Sequence, residues 1–254
     1  MAKFNLLNSI YNTIGDIQAT NALGNINAFN QPNFLNCDSL RFIATKAFYS
    51  KFTAFLQRQD LQMSPTNISP NHYTLNDLYT IQAPKERYLL KITDKIRIYA
   101  YYSSISFEKS RRIHHALNNY IILEIHGLAQ YDQHTPSPIP HNEKTLKILK
   151  FIFSYCNNSK ERQALTLKSF DISLDYLDQA QINQEYALKK APYLDQIHAK
   201  FFNYQGTLYI QESKAPTAKN INSNLQKIKI YDKQIKNSLS YALNRFELIF
   251  LISD

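Results

Sequence analysis

The chain has 254 residues, with 29 Lys and Arg against 20 Asp and Glu, a formal charge of +9 and a pI near 9.3. Hydrophobic residues at 44% and aromatics at 13% exclude a generally disordered chain, and the basic balance favours a polyanionic partner, nucleic acid first. No apolar run reaches the ~20 residues a bilayer span requires, and the opening MAKFNLLNSIYNTIGDIQ lacks the apolar core of a secretory leader, so a cytoplasmic protein with no membrane partner is expected.

Residues 1–36, rich in Asn and Gln with Gly15, Gly24 and Pro32, read as a loose arm or a short helix and loop. From Asp38, a candidate cap, LRFIATKAFYSKFTAFLQRQ places Leu40, Ile43, Ala47, Phe48, Phe52 and Phe55 at helical spacing and predicts one helix. The loop DLQMSPTNISPNH then separates an N-terminal helical appendage, 1–70, from a main domain, 71–254. Cys37 and Cys156, with no CxxC and no neighbouring ligand pair, fit free thiols better than structural zinc.

RYLLKITDKIRIYAYY reads as two strands joined by a turn at Thr93 and Asp94. On the second, Ile96, Ile98 and Ala100 share one face, and Lys95, Arg97, Tyr99 and Tyr101 the other. Basic groups interleaved with aromatics suit a surface that neutralises phosphates and stacks bases, or simply a solvated sheet face. FEKSRRIHHALNN predicts a helix that adds Arg111 and Arg112 to the basic set. In the apolar strand NYIILEIHGLAQY, Glu124 and His126 share a face opposite Ile121, Leu123 and Ile125. Burying a carboxylate and an imidazole there is costly unless they bind something, a metal ion being one choice and an open, wet face the plainer alternative.

DQHTPSPIPHN is a surface loop, and EKTLKILKFIFSYC a core-facing helix. LTLKSFDISLDY is a strand with Phe170, Ile172 and Leu174 on one side and Asp171 and Asp175 on the other. At roughly 3.3 Å per residue the two acids stand ~13 Å apart along the strand, too far to ligate one ion together. After a mixed region from Gln179 to His198, KFFNYQGTLYIQESK forms a hairpin turning at Gly206. In KIKIYDKQIK, read as a strand, Ile228 and Ile230 face the core while Lys227, Lys229, Tyr231 and Lys233 face away. A phenol among ammonium groups has a stabilised phenolate and an attraction for phosphate, as a tyrosine nucleophile requires; a tyrosine on a basic sheet face is the bland reading. NRFELIFLISD closes the set, with Arg245 and Glu247 opposite Phe246, Leu248 and Phe250.

If these strands are neighbours in one sheet, acids, lysines and the phenol converge, and the chemistry that follows is phosphoryl transfer assisted by Mg²⁺ or Mn²⁺. FDISLDY, GTLYIQESK, KIKIYDKQIK and RFELIF, in this order, resemble the C-terminal half of plasmid rolling-circle replication initiators of the replication-transfer type, which have relatives among conjugative relaxases. LEIHGLAQY is similar to that family's earlier glutamate strand, whereas QES at Gln211 to Ser213 departs from its GSR. The resemblance implies that Tyr231 nicks DNA and stays linked to the 5′ phosphate, with Lys233 flanking it. It implies Glu124, Asp171 or Asp175, and Glu247 around the metal; His126 departs from the family's small polar residue and is a further candidate ligand, and in the chemistry read from the strands lysines or Arg245 stabilise transition-state charge. Lys95, Arg97, Tyr99, Tyr101, Arg111, Arg112, Lys227 and Lys229 are candidates for contact with DNA, both the origin duplex and the nicked single strand. A helicase and a second copy of the chain are further candidate partners. A DNA-binding protein without chemistry and a binder of unpaired RNA are the alternatives. The expected fold is α+β: a curved, mostly antiparallel sheet with helices on one face.

Overall fold

Alternation of apolar and polar side chains governs the architecture, because a strand between two neighbours must satisfy a different environment on each face. The computed structural model describes residues 34–68, 80–81, 86–106, 117–157, 164–196, 199–211 and 225–252. The strands are β1 (Phe34–Thr45), β2 (Ser64–Pro65), β3 (Thr80–Ile81), β4 (Glu86–Lys91), β5 (Arg97–Ser106), β6 (Leu117–His126), β7 (Leu165–Tyr176), β8 (Lys200–Tyr204), β9 (Thr207–Gln211), β10 (Leu225–Asp232) and β11 (Asn244–Leu251). They form one open sheet in the order β2-β4-β5-β6-β1-β7-β11-β10-β9-β8, with β3 on the end of β5. Every pairing among them is antiparallel. The α+β class and the helix-covered sheet are as expected.

The N-terminal reading is corrected. Residues 34–45 are the strand between β6 and β7, not the start of a helix. Leu40, Phe42 and Ala44 enter the main core while Ser39 and Arg41 point to the other face. The helical spacing of Leu40, Ile43 and Ala47 was thus a coincidence with the two-residue period of Leu40, Phe42 and Ala44. Thr45 ends the strand, and its side chain accepts from Phe48 N to cap α1 (Lys46–Gln57). Residues 34–57 therefore belong to the sheet and its core rather than to an appendage, while residues 1–33 and the expected boundary at 70 lie outside the described residues.

Helix α1 lays Phe48, Phe52 and Leu56 on the sheet, and α2 (Glu143–Asn157) adds Ile148, Leu149, Ile152 and Phe153. Each such side chain removed from water contributes about 1.5–3 kcal/mol. Toward the other end, α3 (Gln184–Lys190) and α4 (Tyr193–Gln196) bring Tyr186, Ala187 and Leu194 against Leu208, Ile210, Ile228, Ile230 and Phe246. The hairpin turn at Gln205 and Gly206 takes positive φ at both positions, 47° and 74°, the backbone that favours glycine and matches strand twist. Cys37 and Cys156 are buried thiols. Among the described residues no helix is long and apolar enough to cross a membrane.

Candidate active site

The polar face of the sheet opens into a cleft of about 340 Å³. One wall is Lys95, Arg97, Tyr99 and Tyr101 from the β5 side; the other is Lys229, Tyr231, Lys233 and Lys236. Between them lie Arg41, Glu124, His126, Asp171, Arg245 and Glu247. Cross-strand register produces this gathering: Glu124 is opposite both Tyr99 and Arg41, and Glu247 opposite Lys229. Residues paired across antiparallel strands share a face.

The face is not wet. Glu124, Asp175 and Arg245 are 0% exposed and Asp171 is 2%, so each charge needs a partner within the protein. Arg245 donates through Nε and Nη2 to the two oxygens of Asp175, both at 2.6 Å, through Nη1 to Asp38 Oδ1 at 2.9 Å, and through Nη2 to Ala129 O at 3.1 Å. Tyr131 adds its hydroxyl to Asp175 Oδ2. Asp175 thus belongs to a buried frame and does not line the cleft. Arg245 reaches the cleft wall, but its donors serve that frame rather than standing free for a phosphate. Arg41 forms a second pair, Nη1 to Asp171 Oδ1 at 2.6 Å and Nη2 to Oδ2 at 2.9 Å. Its Nε is buried without a hydrogen bond, 3.9 Å from Glu124 Oε1.

Tyr231 lies in β10, and its hydroxyl donates to Glu247 Oε1 at 2.5 Å. Lys229 Nζ is 3.6 Å from Glu247 Oε2, and Lys236 Nζ sits 4.0 Å from the centre of the Tyr231 ring. The expected stabilised phenolate is reversed: burial first, then the Glu247 carboxylate, hold the Tyr231 phenol well above its ordinary value against the opposing pull of Arg245. Lys233 is not on the strand. β10 ends at Asp232, which caps α5 (Lys233–Asn237) by accepting from Ile235 N. That turn buries Lys233, whose Nζ donates to Ala129 O at 3.0 Å. Burial, aided by Arg245, lowers the Lys233 ammonium to about 8, against the pull of Asp38, Asp175 and Glu247.

Between β6 and the Ala129 carbonyl that both Lys233 and Arg245 use, the chain must turn sharply at Gly127, with φ +78°. A Cβ there would stand 2.3 Å from the Lys95 carbonyl oxygen, so only glycine fits. Leu128 N and Ala129 N then bond Asp38 O and Asp38 Oδ1.

His126 sits with Nε2 3.1 Å from Glu124 Oε2 and Nδ1 3.2 Å from Ser39 Oγ. Among the described residues no three His, Cys, Asp or Glu side chains are grouped to hold one ion. Asp171 and Asp175 do not suit a metal, each carboxylate being engaged on both oxygens by a guanidinium. Glu124 and His126 both line the cleft with Oε2 and Nε2 3.1 Å apart, an acid and an imidazole close enough to meet one ion whose shell water and substrate phosphate would complete.

Of the expected nucleic-acid contacts, Lys95, Arg97 and Lys229 line the cleft. Tyr99 and Tyr101 are 9% and 1% exposed and stack on each other at 5.9 Å, so they form the wall rather than an open platform for bases. Lys227 lies toward the β9 side, its Nζ 5.6 Å from the Tyr209 ring. Arg111 and Arg112 lie outside the described residues. Asp38, Ser39 and Arg41 were missed because their segment was read as arm and helix; the two-residue alternation through Ser39, Arg41 and Ile43 was the available signal.

No family model matches the chain, and no curated protein matches it. Among solved structures, the rolling circle replication initiator protein from Geobacillus stearothermophilus aligns over 85% of this chain and 74% of its own, at 10% identity and a TM-score of 0.38. At so low a score the site's chemistry rests on its own residues.

Proposed function

We propose that the chain is a DNA strand-nicking enzyme acting through Tyr231, a replication initiator of the rolling-circle kind. The observation that carries this reading is the hydrogen bond from the Tyr231 hydroxyl to Glu247 at the floor of a lysine-lined cleft. A phenol held in its neutral form needs a base at the moment of attack, and Glu247 is already in position to accept the proton. The Tyr231 oxygen attacks phosphorus while its proton passes to Glu247. The bond from phosphorus to the 3′ oxygen breaks, and the leaving oxygen takes a proton from Lys233, whose ammonium near 8 makes it a competent donor. The product is a 5′-phosphotyrosine link and a free 3′ hydroxyl. Lys229 and Lys236 attract the phosphate, and Asp175 with Arg245 holds the floor in shape. Glu124 and His126 would hold Mg²⁺ or Mn²⁺, which would supply Lewis-acid polarisation of the phosphate.

The test is incubation with supercoiled AT-rich replicon DNA, and separately with a randomised oligonucleotide pool, in Mn²⁺, followed by a denaturing gel. A covalent conjugate is expected from the wild type and none from Tyr231→Phe. Nicking by that variant would remove Tyr231 from the chemistry, and Glu124→Gln should lose both Mn²⁺ binding and conjugate. DNA binding without chemistry, the second reading, is favoured by the arginine-held state of Asp171 and Asp175; it predicts no conjugate under any condition.

A further inference from the structure

The sheet does not stop at the cleft. Beyond β10 lie β9 and the edge strand β8, and register carries two rows of side chains outward along the same face. One row runs from Glu247 through Lys229 and Tyr209 to Phe202; the next runs from Tyr231 through Thr207 to Tyr204. With strands ~4.8 Å apart, the Tyr204 backbone lies about 10 Å from that of Tyr231. Phe202 and Tyr204 are 44% and 61% exposed, although residues of their size usually go inside. Their neighbours Leu208 and Ile210 on the opposite face are buried under α3 and α4. Phe202 stacks on Tyr209 at 5.2 Å with rings 8° from parallel, and Lys227 Nζ sits over Tyr209 at 5.6 Å.

We infer that this hairpin is a stacking platform for unpaired DNA, which leads one strand along the sheet from its edge to Tyr231. Flat exposed rings offer each base a π-face, and the lysines between them meet the backbone phosphates, the combination that binds single strands with little sequence preference. The two rows of register run from the platform to Glu247 and Tyr231 at the cleft, so a strand lying along them is led toward the phenol. The inference takes from the proposed function only that the ligand is DNA, and it stands or falls apart from the chemistry at Tyr231.

The experiment measures binding of a fluorescent oligothymidylate and of a duplex of equal length by anisotropy, in the full chain. Phe202→Ala and Tyr204→Ala should each weaken the single strand about tenfold, the scale of one lost stack, and leave the duplex within about twofold. Phe202→Tyr and Tyr204→Phe should retain wild-type affinity. Unchanged binding in both alanine variants, or equal loss on duplex and single strand, overturns the platform. So does tighter binding of oligouridylate than of oligothymidylate, or a dimer in light scattering that these alanines dissolve, which would assign the edge to a second copy of the chain. A conjugate formed by Tyr231 in variants with unchanged affinity would sink the platform alone; lost affinity in the alanine variants with no conjugate even from the wild type would sink the nicking reaction alone.

Discussion

Two arginines lie buried in the polar face of one sheet, each paired with an aspartate of β7, and they are not equivalent. Arg245 has its Nε and both terminal nitrogens bonded, to Asp175, Asp38 and Ala129 O, and Tyr131 closes the far side of Asp175. Arg41 grips Asp171 as tightly, but its Nε has no hydrogen bond and Glu124 Oε1 stands at 3.9 Å. The first arrangement is closed and structural. The second leaves one buried donor of Arg41 without a hydrogen bond, and it lies beside Glu124 and His126, the ligands of the cation we propose. A buried charge that is fully paired locks geometry, while one that is incompletely paired leaves a field for a ligand to complete.

The largest expected effect follows from that difference. Arg245→Met strands Asp175 and Asp38 and should cost about 3–5 kcal/mol in denaturant unfolding. Arg41→Met strands Asp171 but relieves an unfilled donor, so its loss should be smaller; equal losses would dissolve the distinction.

A second test uses pH. Lys233 sits beside Arg245, its ammonium lowered to about 8 from 10.5. From pH 8 to about 10 the unfolded chain holds the proton that the folded chain releases, so Lys233's contribution to stability rises with pH in that window, by roughly 2 kcal/mol. Above pH 10 the burial-raised tyrosines, Tyr231 among them, oppose it, because unfolding then frees their protons. Unfolding curves of wild type against Lys233→Met at pH 8, 9 and 10 isolate the rise, and a flat difference would refute it.

The smallest effect concerns Tyr231→Phe, which removes the donor from Glu247 while Lys229 stays 3.6 Å away. A loss of about 1 kcal/mol is expected. A gain in stability instead would mean that the phenol is held there at a cost, as reactive groups often are.

Much of the sheet was legible in advance. Glu124 with His126, Asp171 with Asp175, and Arg245 with Glu247 were assigned to the polar face from alternation alone, and register places them there. The first strand was not, since Leu40, Ile43 and Ala47 satisfy a helical period as well as Leu40, Phe42 and Ala44 satisfy an extended one. With it went Asp38, Ser39 and Arg41, which cap the frame, orient His126 and hold Asp171. The face expected to be wet is buried for a related reason: the segment after Gly127 reaches it, with Tyr131 bonded to Asp175 and Ala129 O to Arg245, and that segment is tied to the turn after α5 by Ser240 N to Gln133 O and Tyr241 to Asp132 O.

From the sequence alone came the side-chain alternation that sorts each strand into an apolar and a polar face, because that pattern is local and repeats every two residues. Which strands stand next to each other, and therefore which acid meets an arginine, which meets the Tyr231 phenol and which stays beside a histidine, was decided only in the tertiary structure. Burial of both faces removes water as a partner, and each charge must then find its complement in a segment far along the chain.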